Sequence, residues 1–242
     1  MTGRLAGRRV LVLRPKAQAA ELANLLAWEG AEPVLAPAIR ILPPDDFGPI
    51  EAALGRGQAW TLFTSVNGVE ALRGRLRPGR LGQVAAVGPA TAAALTSEGI
   101  HTAFIPSAYT TVALAEELPG PPSATCLVRA DIAAGDLEAI LRRRGFSVER
   151  VDAYRTESED PAPIREALAG LLDAVALTSA SITRAFAQAA DGHPMPPLVS
   201  IGPATSAAAR DAGLDVAAEA RPHTMTGLVE ALVAALRGTM DR

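Results

Sequence analysis

Two segments of this chain carry the same four residues, Gly-Pro-Ala-Thr, at 88–91 and at 202–205, each directly after a short apolar run. In that order the residues suit a strand-to-helix turn. Glycine lets the chain leave the strand tightly. Proline fits the first helical turn, where its missing N–H costs little. Thr91 and Thr205 then carry hydroxyls near the strand ends. Similar turns occur at Thr64-Ser65-Val66-Asn67-Gly68, Tyr109-Thr110-Thr111, Thr178-Ser179-Ala180-Ser181 and His223-Thr224-Met225-Thr226. Backbone N–H groups at helix starts, with hydroxyl donors beside them, are suited to holding anions. Arg14 and Arg129, at the ends of two further apolar runs, are of the type that pairs with a carboxylate, either of a ligand or of the chain itself in a structural salt bridge. Ser65, Thr110, Ser179 and Thr224 equally fit plain helix caps, which prefer the same residue types. Gly-Pro-Ala-Thr equally fits a stiff turn.

Other chemistries lack their residues. No GxGxxG or GxxxxGK[ST] loop follows a strand, so no nucleotide fingerprint is present. His101, His193 and His223 are scattered without metal-ligand spacing and read as surface residues. No GxSxG turn offers a hydrolase nucleophile. The single cysteine, Cys126, sits in Thr-Cys-Leu-Val and reads as a small buried hydrophobe. Asp45-Asp46 after two prolines reads as a solvated loop.

The elements that must position these turns come in two copies. The segment AAVGPATAAALTSEGI (85–100) recurs as VSIGPATSAAARDAGL (199–214), an offset of 114. Thr64-Ser65 recurs at 178–179, and Thr110, Leu114, Glu116 and Leu118 recur as Thr224, Leu228, Glu230 and Leu232 at the same offset. The beginning recurs at an offset of 115, with Arg14 on Arg129, Leu22 on Leu137, Leu26 on Leu141 and Gly30 on Gly145. Each copy of about 115 residues alternates short β runs with helical spacing. Strands are expected at Val10–Leu13, Trp60–Phe63 and Val84–Val87, with helices at 17–29, 67–76, 89–98 and 111–118. Repeated βα units imply parallel sheets with right-handed crossovers, so each copy reads as a small doubly wound lobe.

A length of 242 residues suits one large or two small domains. A net charge of −3 gives no reason to expect nucleic acid as a partner. The apolar run after the basic N-terminus is too short for a signal-peptide core. No stretch approaches the ~20 apolar residues of a membrane span. The cytoplasm is the expected location.

In order along the chain, VLVLRP, LFTSVNGVEAL, VAAVGPATAAAL, YTTVALAEEL, RVDAYRT, ALTSASITRAF, VSIGPATSAAA and HTMTGLVEAL resemble the uroporphyrinogen-III synthase family over nearly the whole length. The resemblance implies two flavodoxin-like, doubly wound α/β lobes joined by a two-stranded linker. Lobe one would be 1–37 plus 158–242, lobe two 43–152, and the linker strands 38–42 and 153–157. It implies a monomeric, cofactor-free and metal-free lyase that takes hydroxymethylbilane, a polycarboxylate tetrapyrrole. The enzyme removes the terminal hydroxyl, inverts the last pyrrole ring and closes the macrocycle. The product would serve haem, sirohaem, cobalamin or chlorophyll synthesis.

By the same resemblance Tyr154, in Asp-Ala-Tyr-Arg-Thr, is the catalytic candidate, bonding or protonating the departing hydroxyl. A packed aromatic is its other reading. Arg14, Ser65, Asn67, Thr91, Thr111, Arg129, Ser179, Ser181, Thr205 and Thr224 are the candidate substrate-binding residues. The chain departs from the family's pattern at Val66 and Ala180, where proline often stands, and at Ala130 and Ala134-Gly135 after Arg129. These departures keep open a catalytically inactive, synthase-like ligand-binding or regulatory module. A two-lobed anion receptor and a two-lobed glycosyltransferase fit less well, lacking a leader and a nucleotide motif respectively.

Overall fold

The chain's short apolar runs become strands and its helically spaced segments become helices. The structure, a computed structural model, describes residues 3–133, 135–190 and 192–237. The two N-terminal residues and 238–242, assigned above to lobe one, and Ala134, among the departures, lie outside the described residues. The strands are β1 (Arg9–Val12), β2 (Glu32–Leu35), β3 (Ile39–Leu42), β4 (Trp60–Phe63), β5 (Gln83–Ala86), β6 (Ala124–Ala130), β7 (Ser147–Ser158), β8 (Ala174–Leu177), β9 (Leu198–Ser200) and β10 (Val216–Glu219). The helices are α1 (Ala19–Trp28), α2 (Gly48–Leu54), α3 (Val66–Ala71), α4 (Pro89–Ser97), α5 (Thr111–Glu117), α6 (Asp136–Arg143), α7 (Ala162–Ala169), α8 (Ala180–Ala189), α9 (Pro203–Asp211) and α10 (Met225–Arg237).

One sheet has the order β10-β9-β8-β1-β2 and the other β3-β7-β6-β4-β5. The registered pairings in both are parallel. Interior strands are apolar on both faces because helices cover both faces. In the second sheet Phe63, Val84, Ala86, Cys126 and Val128 pack with Val69, Leu72 and Leu95. Their alternate neighbours Leu62, Ala85 and Leu127 pack with Leu114, Leu137 and Leu141 on the other side. In the first sheet Val10, Val12, Ala174, Ala176 and Val199 meet Leu22 and Leu26 of α1 and Leu228 and Leu232 of α10. Pro33 stands in β2, at the end of its sheet, where a missing N–H is tolerated.

Two expected helices shift. The one expected over 17–29 starts at Ala19, after a 3₁₀ turn at Lys16–Gln18, and is closed by Gly30 in the left-handed region (φ +82). The one expected over 67–76 is only Val66–Ala71. The chain turns beyond it, with Gly74 at φ +71, a conformation that no helix residue adopts.

By contact density the chain divides into unit one, Met1–Arg40 with Glu157–Arg242, and unit two, Ile41–Thr156. The folded unit is therefore not the sequence copy. The first sheet takes β1 and β2 from copy one and β8, β9 and β10 from copy two. The second takes β3, β4 and β5 from copy one and β6 and β7 from copy two. The reading in which each copy closes on itself as a lobe is corrected accordingly.

Cys126 is fully buried in β6, and burial pushes its thiol pKa up to about 12. Thiolate is the reactive form, so a disulfide reagent such as 5,5′-dithiobis(2-nitrobenzoate) should leave the native protein unlabelled. It should label one thiol per chain once the protein is denatured. Fast native labelling would contradict this packing.

Candidate active site

In unit two the chain leaves β4 through Thr64 and enters α3 with Ser65 as N-cap. The Ser65 hydroxyl accepts the Gly68 N–H (3.1 Å) and lies 2.9 Å from the Tyr154 hydroxyl. Tyr154 comes from β7, where it pairs in register with Ala130 at the end of β6. Its ring is buried in the core with Val128 and Val69, leaving the residue 6% exposed, so it is a packed aromatic. Its phenol is nevertheless placed among polar groups. Asn67, half-buried in the first turn of α3, also hydrogen-bonds it.

A Cβ added to Gly68 would lie 3.3 Å from Val128 and 3.9 Å from the Tyr154 ring, so the glycine lets helix and tyrosine approach. Burial, the largest influence, pushes the phenol pKa above the ordinary tyrosine value. Hydrogen bonds from Ser65 and Asn67 and the Arg129 charge pull the other way, as donors to a phenolate would. Tyr154 is thus a neutral phenol at physiological pH whose anion has two donors ready.

The chain has two tyrosines, so Tyr109→Phe leaves Tyr154 as the only phenol. The ultraviolet tyrosinate band of the folded variant should then appear with a midpoint above the usual ~10. A midpoint at or below that value would mean the phenol is solvated.

The other candidates of unit two are placed less openly. Thr91 is 3% exposed in the first turn of α4, and Thr111 is half-buried at the first position of α5. Thr110 caps α5 by accepting the Ala113 N–H at 3.1 Å. Arg129, 6% exposed, donates to Glu138 of α6 at 2.8 Å. Arg129 is thus in a structural salt bridge, and its charge also favours the Tyr154 phenolate.

Unit one repeats the serine turn. Ser179 caps α8 by accepting the Ile182 N–H at 3.2 Å, and its hydroxyl lies 3.1 Å from that of Ser181. Ser181 is the repeat counterpart of Asn67. Thr224 accepts the Gly227 N–H at 3.1 Å at the start of α10. Half-buried Arg14 donates to the Gln18 carbonyl (2.8 Å) and reaches the Met225 sulfur (3.3 Å), so β1 and the α10 start meet there. Thr205 is 4% exposed in the first turn of α9. The caps account for Ser65, Thr110, Ser179 and Thr224, and Ser65 and Ser179 each also bond a second side-chain hydroxyl.

Two further side chains belong to these turns. A Cβ at Gly88 would come within 3.2 Å of Tyr109, and one at Gly202 within 3.2 Å of the His223 ring. Both glycines have extended backbone (φ −170 and 170), so they are needed for space rather than for turning. Tyr109 and His223 stand at the repeat offset of 114. That shared place over a Gly-Pro-Ala-Thr turn was the available signal for them. His223 Nδ1 lies 2.8 Å from the Ala220 carbonyl. As donor there, it leaves Nε2 of the exposed ring as a hydrogen-bond acceptor.

Residues 3–230 match the family model described as uroporphyrinogen-III synthase HemD. The chain is 28% identical over 253 residues to a uroporphyrinogen-III synthase of Synechococcus elongatus, covering 94% of this chain and 95% of that protein. It is 30% identical over 224 residues to a porphyrin biosynthesis protein HemD of Ruminiclostridium josui, covering 85% of this chain but 44% of that longer protein. A mutant uroporphyrinogen III synthase of the extremely thermophilic bacterium Thermus thermophilus superposes with a TM-score of 0.71 at 22% identity, covering 96% of this chain and all of that one. A uroporphyrinogen-III synthetase of Helicobacter pylori superposes at 0.62 with 15% identity, covering 94% and 99%. At such identities the two superpositions speak for the fold.

Proposed function

The chain belongs to the uroporphyrinogen-III synthase family, and from that premise we infer that Tyr154, seated between Ser65 and Asn67, is its proton donor. The activity is that of the family, a cyclising lyase step of porphyrin biosynthesis acting on hydroxymethylbilane. The neutral phenol gives its proton to the terminal hydroxyl as the carbon–oxygen bond breaks, and water leaves. The resulting conjugated cation is attacked by the last pyrrole through the α-carbon that already carries its methylene bridge. That bridge bond then breaks and re-forms at the ring's other α-carbon, which inverts the ring. The proton lost from that carbon as the macrocycle closes restores the phenol. Ser65 and Asn67 hold the phenolate in the interval. Holding the chain's two ends in reacting geometry supplies much of the rate.

Substrate acetates and propionates are read as meeting Arg14, Thr224, Ser179, Ser181 and Thr111. Thr91 and Thr205, nearly buried, stiffen the turns beside them. The lobes are taken as 1–37 with 158–242 and 43–152, with 38–42 and 153–157 connecting them. The change of compact unit at 40/41 and 156/157 supports that division. The enzyme is read as a cytoplasmic monomer without nucleic-acid or membrane partners. The net charge of −3 speaks against a nucleic-acid partner, and no described helix is long and apolar enough to cross a membrane. Light scattering on a sizing column gives the mass that tests the monomer.

The observation that carries the catalytic reading is the 2.9 Å Ser65–Tyr154 contact at a strand end. Freshly made hydroxymethylbilane, incubated with the protein and oxidised, should yield isomer III of uroporphyrin. Isomer I alone, the spontaneous product, from a folded sample would end the enzymatic reading.

A further inference from the structure

The end of α2 and the connection from α3 to β5 enclose a pocket of about 500 Å³ lined by Glu51, Leu54, Leu81 and four arginines, Arg73, Arg75, Arg77 and Arg80. We propose that this pocket is a second binding site, for a compact polyanion carrying at least two adjacent anionic groups. The proposal is independent of the reaction assigned to Tyr154.

Two of the arginines are held in place. Arg75 pairs with Glu51 at 2.5 Å and lies 3.8 Å over the Phe47 ring, and Arg73 pairs with Glu98 at 3.1 Å. The other two have no carboxylate partner among the described residues. Arg77 donates to the carbonyls of Gly74 and Leu76, and the Arg80 side chain makes no hydrogen bond there. Four guanidinium groups against the two carboxylates Glu51 and Glu98 leave an excess of two positive charges, in a chain whose net charge is −3.

The fold does not require these arginines. At the repeat offset of 114, Arg73, Arg75, Arg77 and Arg80 correspond to Ala187, Ala189, Asp191 and Pro194. The second copy thus follows its own serine turn with no arginine at any of the four places. Four guanidiniums kept together against mutual repulsion are suited to an anion, which each can grip with two parallel N–H donors. The pocket's size fits a small ligand, with Leu54 and Leu81 as its apolar floor. Phosphates and carboxylates share this chemistry, so an oligophosphate and a polycarboxylate are its two sources.

Isothermal titration of the full chain at ~0.1 M NaCl, where exposed charges beyond ~10 Å are screened, tests the site. Tripolyphosphate and citrate are the probes. One equivalent of either should bind saturably, and the tighter one identifies the source. The Arg77→Ala/Arg80→Ala pair should weaken binding about tenfold or more, two charge-assisted contacts being lost. The Arg142→Ala/Arg143→Ala pair, an equal charge change on α6, should leave binding near wild type. Thermal melts of both variants verify folding. Saturable binding of neither probe, or equal weakening by both pairs, would overturn the site and reduce it to general surface charge.

Discussion

Tyr154→Phe is expected to lower the turnover number on hydroxymethylbilane by ~10²-fold or more, the lower end of what a positioned general acid contributes. The substitution keeps the ring that packs against Val69 and Val128 and removes only the hydroxyl 2.9 Å from Ser65. Folding should therefore change by the net worth of the two hydrogen bonds to Ser65 and Asn67, ~1–3 kcal/mol. An acid used only as the hydroxyl departs acts in the transition state, so kcat should fall with KM nearly unchanged. As the enzymatic rate drops, spontaneous closure competes, and the recovered uroporphyrin should shift from isomer III toward isomer I. The isomer ratio is thus a readout that a mere packing defect would not move without also lowering the melting temperature. Wild-type turnover in the variant would return Tyr154 to being a core aromatic.

Much of this arrangement was legible in the sequence because it rests on local signals that recur. Thr64-Ser65 and Thr178-Ser179 announce themselves as polar pairs closing largely apolar runs, and the 114-residue offset ties them together. Their capping geometry follows from residue type alone. Pairing across the sheet is not local, and there the sequence was less informative. Nothing near Arg129 indicates that Glu138, nine residues later, turns back to meet it inside the core. The repeat carried a hint, since Arg14 corresponds to Arg129 while Ala23 stands where Glu138 does. A buried acid added in one copy only signals a partner in that copy. The same holds for Ser200, Ser206 and Glu219, linked by 2.5 Å contacts, where the first copy has Ala86, Ala92 and Ile105. Three apolar residues exchanged together for three polar ones mark one hydrogen-bonded chain.

Fold class was readable from period and length, but the make-up of each unit was not. A run such as Val10–Val12 states that it is buried on both faces, not which strand lies beside it. The β1–β8 pairing joins residues some 160 positions apart, and the whole second sheet lies in the sequence between them. Strand edges were equally silent, except at Pro33, which cannot donate to a neighbour.

The second large effect concerns Glu138. Its carboxylate, 4% exposed, meets Arg129 at 2.8 Å and Arg150 at 3.3 Å, and Arg150 is further held by Asp152 and by the carbonyls of Ala130, Asp131 and Ala133. Glu138→Ala should destabilise unit two by ~3–5 kcal/mol, because a guanidinium taken out of water then loses its counter-charge. Removing both ends, Arg129→Met with Glu138→Leu, should recover most of that loss, since apolar residues of similar volume fill such places without desolvated charge. Denaturant unfolding measures both. A single-variant loss below ~1 kcal/mol would mean water reaches the pair. The pair also bears on the site, because the Arg129 charge favours the Tyr154 phenolate. The double variant should therefore push the Tyr154 midpoint still higher, read in the Tyr109→Phe background. If stability recovers but the midpoint does not move, Arg129 is purely architectural. If the midpoint rises, the buried pair sets the acidity of the residue read as the proton donor.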